Sequence, residues 1–130
     1  MRRNKTKMNS CAPSNKEPGE KPQVKRVGMV IGIKPEQVEA YKRLHAGPGV
    51  RDLLRKANIH NFSIFMRQLE DGRFFEFAYY EYTGNDYEAD IAWLAVQPAN
   101  IEWLALCDPM QIPISGETGW AVMESIYYNE

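Results

Sequence analysis

The residues best suited to proton transfer are the two histidines, His45 and His60, because an imidazole titrates near neutral pH and can both accept and donate a proton. Tyr41 precedes His45 by one helical turn, a spacing that places both side chains on one face of a helix. A Gly-Pro-Gly sequence at 47–49 then interrupts that helix. The same pattern fits two side chains that merely line the edge of a core. His60 opens a predicted strand, which is more typical of a surface or hydrogen-bonding residue.

Trp103 is a further candidate, because an indole ring can pack on the apolar face of a sugar and donate its N–H to a hydroxyl. A tryptophan on an amphipathic helix is also commonly a core residue. The carboxylates Glu76, Glu81 and Asp108 are too scattered for the acid pair of a glycosidase. We find no phosphate-binding loop, paired metal-ligand motif or nucleophile elbow. Proton transfer without a cofactor or metal, or simple binding, remain the open alternatives.

The elements that would position these residues follow the order β-α-β-β-α-β, the ferredoxin-like pattern of an α+β fold. Period-two alternation of apolar residues predicts the strands, and helical spacing predicts the helices. The predicted elements are, in chain order, a strand over 24–33, helices over 35–45 and 50–56, a hairpin of strands over 59–68 and 73–82, helices over 83–96 and 99–106, a loop over 108–119 and a closing strand over 120–128.

The chain has 130 residues, enough for one domain, which we predict over 24–130. Residues 1–26 carry eight basic and two acidic groups, whereas the remainder carries eight basic and fifteen acidic groups. We therefore predict that residues 1–23 form a disordered basic extension. The acidic character of the domain argues against a nucleic-acid-binding surface.

Two observations bear on the compartment. No apolar run approaches the roughly 20 residues of a membrane-spanning helix, and no hydrophobic stretch follows the basic N-terminus as in a secretory signal. The two cysteines, Cys11 and Cys107, are far apart and typical of free thiols in a reducing compartment. The sequence therefore predicts a cytoplasmic protein that does not bind a membrane.

The aromatic content of the hairpin has a consequence for assembly. An antiparallel sheet covered by helices on one face would leave an aromatic face uncovered on the other, and apolar patches of that size usually bind a partner. Two copies that close their sheets against each other form the simplest symmetric arrangement. The pattern therefore predicts a homodimer in which two sheets close against each other.

Three segments, EAYKRLH at 39–45, IHNFSIF at 59–65 and EWLALCDPM at 102–110, together resemble the L-rhamnose mutarotase family. The Pro/Gly-rich loop and the MESIY sequence at 123–127 extend the resemblance in collinear order over residues 25–129. The resemblance implies a dimeric α+β barrel and an isomerase of rhamnose metabolism. It implies that the enzyme interconverts the α and β anomers of L-rhamnose or a related deoxyhexose by acid–base proton transfer, without a cofactor.

The resemblance also implies roles for individual residues. The catalytic histidine of the family matches His45, and its sugar-contacting tyrosine matches Tyr41. A family tyrosine falls at Phe62, and a pair of family tryptophans falls at Glu102 and Trp103, so this chain keeps only the second indole. We expect His45 to transfer the proton and the other four residues to contact the monosaccharide.

Two alternatives stay open at this point. The departures at Phe62 and Glu102 allow a non-catalytic sugar-binding or regulatory module. Dimeric α+β barrels also host monooxygenases, and a haem-dependent one could use His45 as its iron ligand.

Overall fold

The computed structural model describes residues 23–130, so the extension predicted over 1–23 lies outside the described residues except at its last position. The strands are β1 (Lys25–Ile33), β2 (Ile59–Gln68), β3 (Phe74–Tyr82), β4 (Gln111–Ile112) and β5 (Ala121–Met123), and the α-helices are α1 (Val38–Ala46), α2 (Arg51–Lys56), α3 (Tyr87–Ala95) and α4 (Pro98–Cys107). Short 3₁₀ turns at Pro35–Gln37 and Asp108–Met110 precede α1 and β4. Within the described part of the chain, no helix is long and apolar enough to cross a membrane.

All strands belong to one antiparallel sheet with the order β2-β3-β1-β4, and β5 also pairs with β1 beside β4. The long strands β1 and β3 pair along their whole length, from Lys25 opposite Tyr82 to Ile33 opposite Phe74. This arrangement confirms the α+β, ferredoxin-like fold that the sequence predicts.

The C-terminal quarter differs from the prediction in two places. The predicted loop over 108–119 contains β4, because Gly32 allows the backbone of Ile112 to approach: a Cβ at Gly32 would lie 2.7 Å from the carbonyl oxygen of Ile112. The closing strand predicted over 120–128 shrinks to the three residues of β5. Beyond it, Ile126 and Tyr127 are 88% and 80% exposed, since no neighbouring strand pairs with them within the described residues.

The two faces of the sheet have different surroundings. We call the helix-covered side the inner face. There Val27 and Ile31 of β1 lie opposite Tyr80 and Glu76 of β3, all four buried against the helices or the sheet. We call the other side the outer face. It carries Phe65, which is 69% exposed, opposite Phe77.

A β-bulge in β2 sets which of its side chains reach the inner face. The register with β3 shifts between His60 and Ser63, and Asn61 takes a left-handed conformation with φ of 56°. As a result Ile59 and Phe62 both border the inner-face cavity, although strict alternation would send one of them to the outer face.

Candidate active site

A cavity of about 590 Å³ lies between the helices and the inner face of the sheet. Its volume is in the range of small-molecule sites, and such sites combine apolar walls with a few placed polar groups. Its wall includes Tyr41 and His45 from α1, Trp103 from α4 and Phe62 from β2. The structure therefore brings together four of the five site residues predicted from the sequence.

His45 has a defined tautomer at this wall. Its Nδ1 lies 2.8 Å from the carbonyl oxygen of Tyr41, and because a carbonyl only accepts, Nδ1 carries the proton and donates it. In the neutral imidazole, Nε2 is then the unprotonated nitrogen, which can accept a proton from a ligand. The imidazole stacks on the ring of Tyr41 at 4.1 Å between centroids and meets the edge of Trp103 at 5.0 Å.

The break between α1 and α2 lies directly against Trp103. Gly49 has φ of +56°, and a Cβ at this position would lie 3.3 Å from the indole, so a side chain here would be both strained and crowded. The guanidinium of Arg51 donates hydrogen bonds to the carbonyl oxygens of Gly47 and, at 3.3 Å, of His45. These bonds tie the break to the end of α1.

An aromatic pair forms another part of the wall. Phe62 stacks on Tyr80 with ring centroids 5.5 Å apart and planes 5° from parallel. The hydroxyls of Tyr80 and Tyr87 share a hydrogen bond. Burial, and then the hydrogen bond with Tyr87, raise the pKa of Tyr80 and keep it neutral. This region offers a ligand apolar ring surface and no charge.

Glu102 is placed differently from the other predicted site residues. It is exposed on α4 and does not border the cavity. The cavity-lining residues of α4 are Asn100, Trp103, Leu104 and Cys107, which share one face at helical spacing, and Glu102 lies on the opposite side of the helix. The expectation that Glu102 contacts the sugar therefore finds no support in this geometry.

Sequence analysis missed a polar group behind the wall. The Nε2 amide of Gln111 donates to the hydroxyl oxygen of Tyr41 at 3.0 Å and to Oε1 of Glu76 at 3.4 Å. Burial raises the pKa of Glu76 to about 7, although the nearby Tyr41 hydroxyl and the hydrogen bond from Gln111 act in the opposite direction. Tyr41 and Gln111 border the cavity, whereas Glu76 lies one layer further in.

The sequence contained a signal for one of these two residues. Alternation along β3 places Glu76 on the same face as Ala78 and Tyr80, and a carboxylate at such a core-facing position is the kind of inconsistency that marks functional sites. Gln111 carried no such signal, because it lay in a predicted loop. Within residues 23–130, no three His, Cys, Asp or Glu side chains come together in a way that could hold a metal ion.

Fold and cavity together define a class: ferredoxin-like α+β proteins with a cavity between the helices and the inner face of the sheet. Within that class, residues 26–129 match the L-rhamnose mutarotase family, and the chain belongs to this family. The match confirms the resemblance found in the sequence. Membership supports an isomerase-type enzyme of carbohydrates.

Solved structures support the fold. L-rhamnose mutarotase FA22100 from Formosa agariphila is 19% identical and superposes with a TM-score of 0.60, covering 82% of this chain and 99% of that one. A protein assigned as an antibiotic biosynthesis monooxygenase from Nitrosomonas europaea is 15% identical with a TM-score of 0.52, covering 83% and 95% of the two chains. At these identities the likeness is one of fold alone. Comparison with curated protein sequences gave no significant match.

Proposed function

We propose that this protein is a cofactor-independent mutarotase that interconverts the α and β anomers of L-rhamnose or a closely related deoxyhexose. The observation that carries the proposal is the fixed tautomer of His45: Nδ1–H is engaged by the carbonyl of Tyr41 at 2.8 Å, which leaves Nε2 as a proton acceptor in the cavity wall. Family membership supplies the reaction class, and the His45 geometry supplies a group able to perform it.

Anomer exchange requires one proton to leave and one to arrive. His45 Nε2 removes the proton of the anomeric hydroxyl, whose O–H electron pair forms the C1=O double bond while the bond between C1 and the ring oxygen breaks. The imidazolium of His45 then gives this proton to the ring oxygen, and the open aldehyde rotates about C1–C2. The reverse steps close the ring on the other face of the carbonyl. The net change is one of configuration only, and no electrons are gained or lost.

The remaining wall suits a deoxyhexose. Trp103 and Phe62 present apolar ring surface, which can pack against the C–H face and methyl group of such a sugar. The phenol of Tyr41 and the amide of Gln111 are polar groups in the same wall and can hydrogen-bond sugar hydroxyls. This combination of a few polar groups and apolar walls fits a monosaccharide.

The test is exchange NMR of the α and β anomers of L-rhamnose with and without the purified protein, repeated with L-fucose. We expect faster exchange with the wild-type protein and a loss of roughly 10²–10⁴-fold in the His45→Ala variant, the usual contribution of a positioned acid–base group. His60→Ala is the matched control, since His60 does not border the cavity and should leave the rate unchanged.

Two results would contradict the proposal. Full activity of His45→Ala would exclude His45 as the proton-transfer group. Sugar binding without faster exchange in the wild-type protein would favour a non-catalytic binding module.

A further inference from the structure

Glu76 is the one charged side chain among the fully buried residues of the described chain, with 0% exposure. Its neighbours across the inner face are apolar, Ile31 on β1 and Met66 on β2. Its Oε2 atom is buried and has no hydrogen-bond partner within residues 23–130. A buried carboxyl that is only partly hydrogen-bonded is costly to the fold, so a leucine here would be the simpler solution for stability.

The link from Glu76 to the cavity runs through Gln111 and Tyr41. The amide nitrogen of Gln111 can only donate, so the Tyr41 hydroxyl oxygen is the acceptor in their 3.0 Å bond. The proton of that hydroxyl therefore remains free for another acceptor. Both Tyr41 and Glu76 accept from the same amide nitrogen of Gln111. Burial raises the pKa of Tyr41, and the nearby charge of Glu76 raises it further.

Glu76 is the group in this cluster that can change charge near neutral pH. The side chains that face it are Tyr41 from α1, Cys107 from α4 and Gln111 from β4. Burial raises the pKa of Cys107 to about 11 and keeps the Tyr41 phenol neutral as well, while Gln111 does not titrate. No basic side chain pairs with Glu76 among the described residues.

We infer that Glu76 is a positioning residue, which acts through the hydroxyl of Tyr41 and whose ionisation state sets the direction of that hydroxyl at the cavity. An ionised Glu76 can only accept, so it accepts a hydrogen bond from the Tyr41 hydroxyl. A lone pair of the Tyr41 oxygen then remains for a sugar hydroxyl. A neutral Glu76 donates to the Tyr41 oxygen, so the Tyr41 proton points to the cavity and meets a sugar oxygen. The predicted effect on the sugar rests on the proposed function. The coupling of Glu76 to Tyr41 does not depend on that function.

The coupling is tested first without sugar. The ¹³C shift of the Tyr41 ring carbon that bears the hydroxyl is followed between pH 5 and pH 9 in the wild-type, Glu76→Gln and Glu81→Gln proteins. We expect a step near pH 7 in the wild type, the pH to which burial moves the pKa of Glu76. Glu76→Gln keeps the shape of the side chain but cannot ionise, so it should remove the step. Glu81 lies on the same strand but faces away, so Glu81→Gln should keep it.

Infrared spectra of the free wild-type protein provide a measurement that does not depend on any variant folding. The carbonyl band of a neutral buried carboxyl should be present at pH 5 and disappear through pH 7. A Tyr41 signal that is flat in the wild type, or a step that persists in Glu76→Gln, would overturn the inference. So would the absence of a titrating carboxyl band.

The effect on the sugar is measured in the exchange assay. Between pH 6 and pH 8 we expect the KM of the wild type for L-rhamnose to change about threefold to tenfold, the size of one neutral hydrogen bond, and the KM of Glu76→Gln to stay flat. The same pH profile in both proteins would overturn the inference while leaving the proposed function intact. A wild type without mutarotase activity would contradict the proposed function, while the sugar-free titration would still decide the coupling of Glu76 to Tyr41.

Discussion

Glu76 and Glu81 lie on the same strand but face opposite sides of the sheet. On the inner face, burial raises the pKa of Glu76. On the outer face, the side-chain amide of Asn61 and the hydroxyl of Tyr79 donate to Glu81 at 2.8 Å and 2.9 Å, and these bonds hold its pKa below the ordinary value. The pKa values of two glutamates on one strand therefore shift in opposite directions, because desolvation raises the one and hydrogen bonding to the charged form lowers the other.

The same contrast holds for the apolar residues of the two faces. On the inner face, Ile31 and Ile33 are almost completely buried, each 1% exposed. On the outer face, Phe65 lies in the open beside Phe77. The helices of the same chain thus cover the inner face of the sheet. The outer face keeps an apolar surface that a single copy of the chain leaves uncovered.

The largest expected effect concerns this outer face. We expect the protein to be a homodimer that pairs outer face with outer face, and Phe65→Asp should convert it to a monomer, because a charge in an apolar interface is costly to bury. Sedimentation velocity over a range of concentrations measures the change. Val96→Asp is the matched control, since Val96 is 66% exposed on the helical side. A wild type that is monomeric at every concentration would contradict this expectation.

The second prediction concerns the pH dependence of stability. Folded Glu76 holds its proton more tightly than unfolded Glu76, because its pKa rises from 4.5 to about 7. The contribution of Glu76 to the free energy of unfolding should therefore be highest below pH 4.5. It should fall by about 3 kcal/mol as the pH rises to 7 and then stay constant. Urea unfolding of wild type and Glu76→Gln as a function of pH measures this contribution as the difference between the two curves.

Glu81→Gln provides the opposite case. The lowered pKa of Glu81 stabilises the fold at neutral pH, and that contribution disappears as the pH falls through the pKa of the folded carboxyl. The two variants should therefore deviate from wild type with opposite signs. Deviations of the same sign would show that the two faces of the sheet do not shift the pKa of their carboxyls in opposite directions.

The smallest effect concerns the indole in the cavity wall. Trp103→Ala should raise the dissociation constant for L-rhamnose about tenfold, because an aromatic packing contact contributes on the order of 1.4 kcal/mol. Trp93→Ala is the matched control, since Trp93 lies on α3, 38% exposed, and does not border the cavity. Titration calorimetry measures both. Equal affinities of the two variants would remove Trp103 from the binding site.

What the sequence could predict was local. The Tyr41–His45 pair depends on one helical turn, and the strands β1 and β3 depend on alternation, so both followed from short-range patterns. Gln111 was missed because β4 has two residues and exists only through its pairing with Gly32 and Ile33. The closing strand was predicted too long because its alternating pattern continues past Met123, where its pairing with β1 stops opposite Gly28 although β1 itself begins at Lys25. In both places a contact distant in sequence decides the structure.

The bulge at Asn61 makes β2 sensitive to the number of its residues as well as to their types. Deleting Asn61 would leave Ile59 and Phe62 two positions apart, so a regular strand without the bulge would still turn both of them inward. Deleting Ser63 instead would place Phe62 next to Ile64, and strict alternation would turn one of these two cavity side chains to the opposite side of the sheet. When homologous chains are aligned, the position of a one-residue gap in this strand therefore decides whether the site is kept: a gap at Asn61 preserves it, whereas a gap after Phe62 changes it even where every remaining residue is the same.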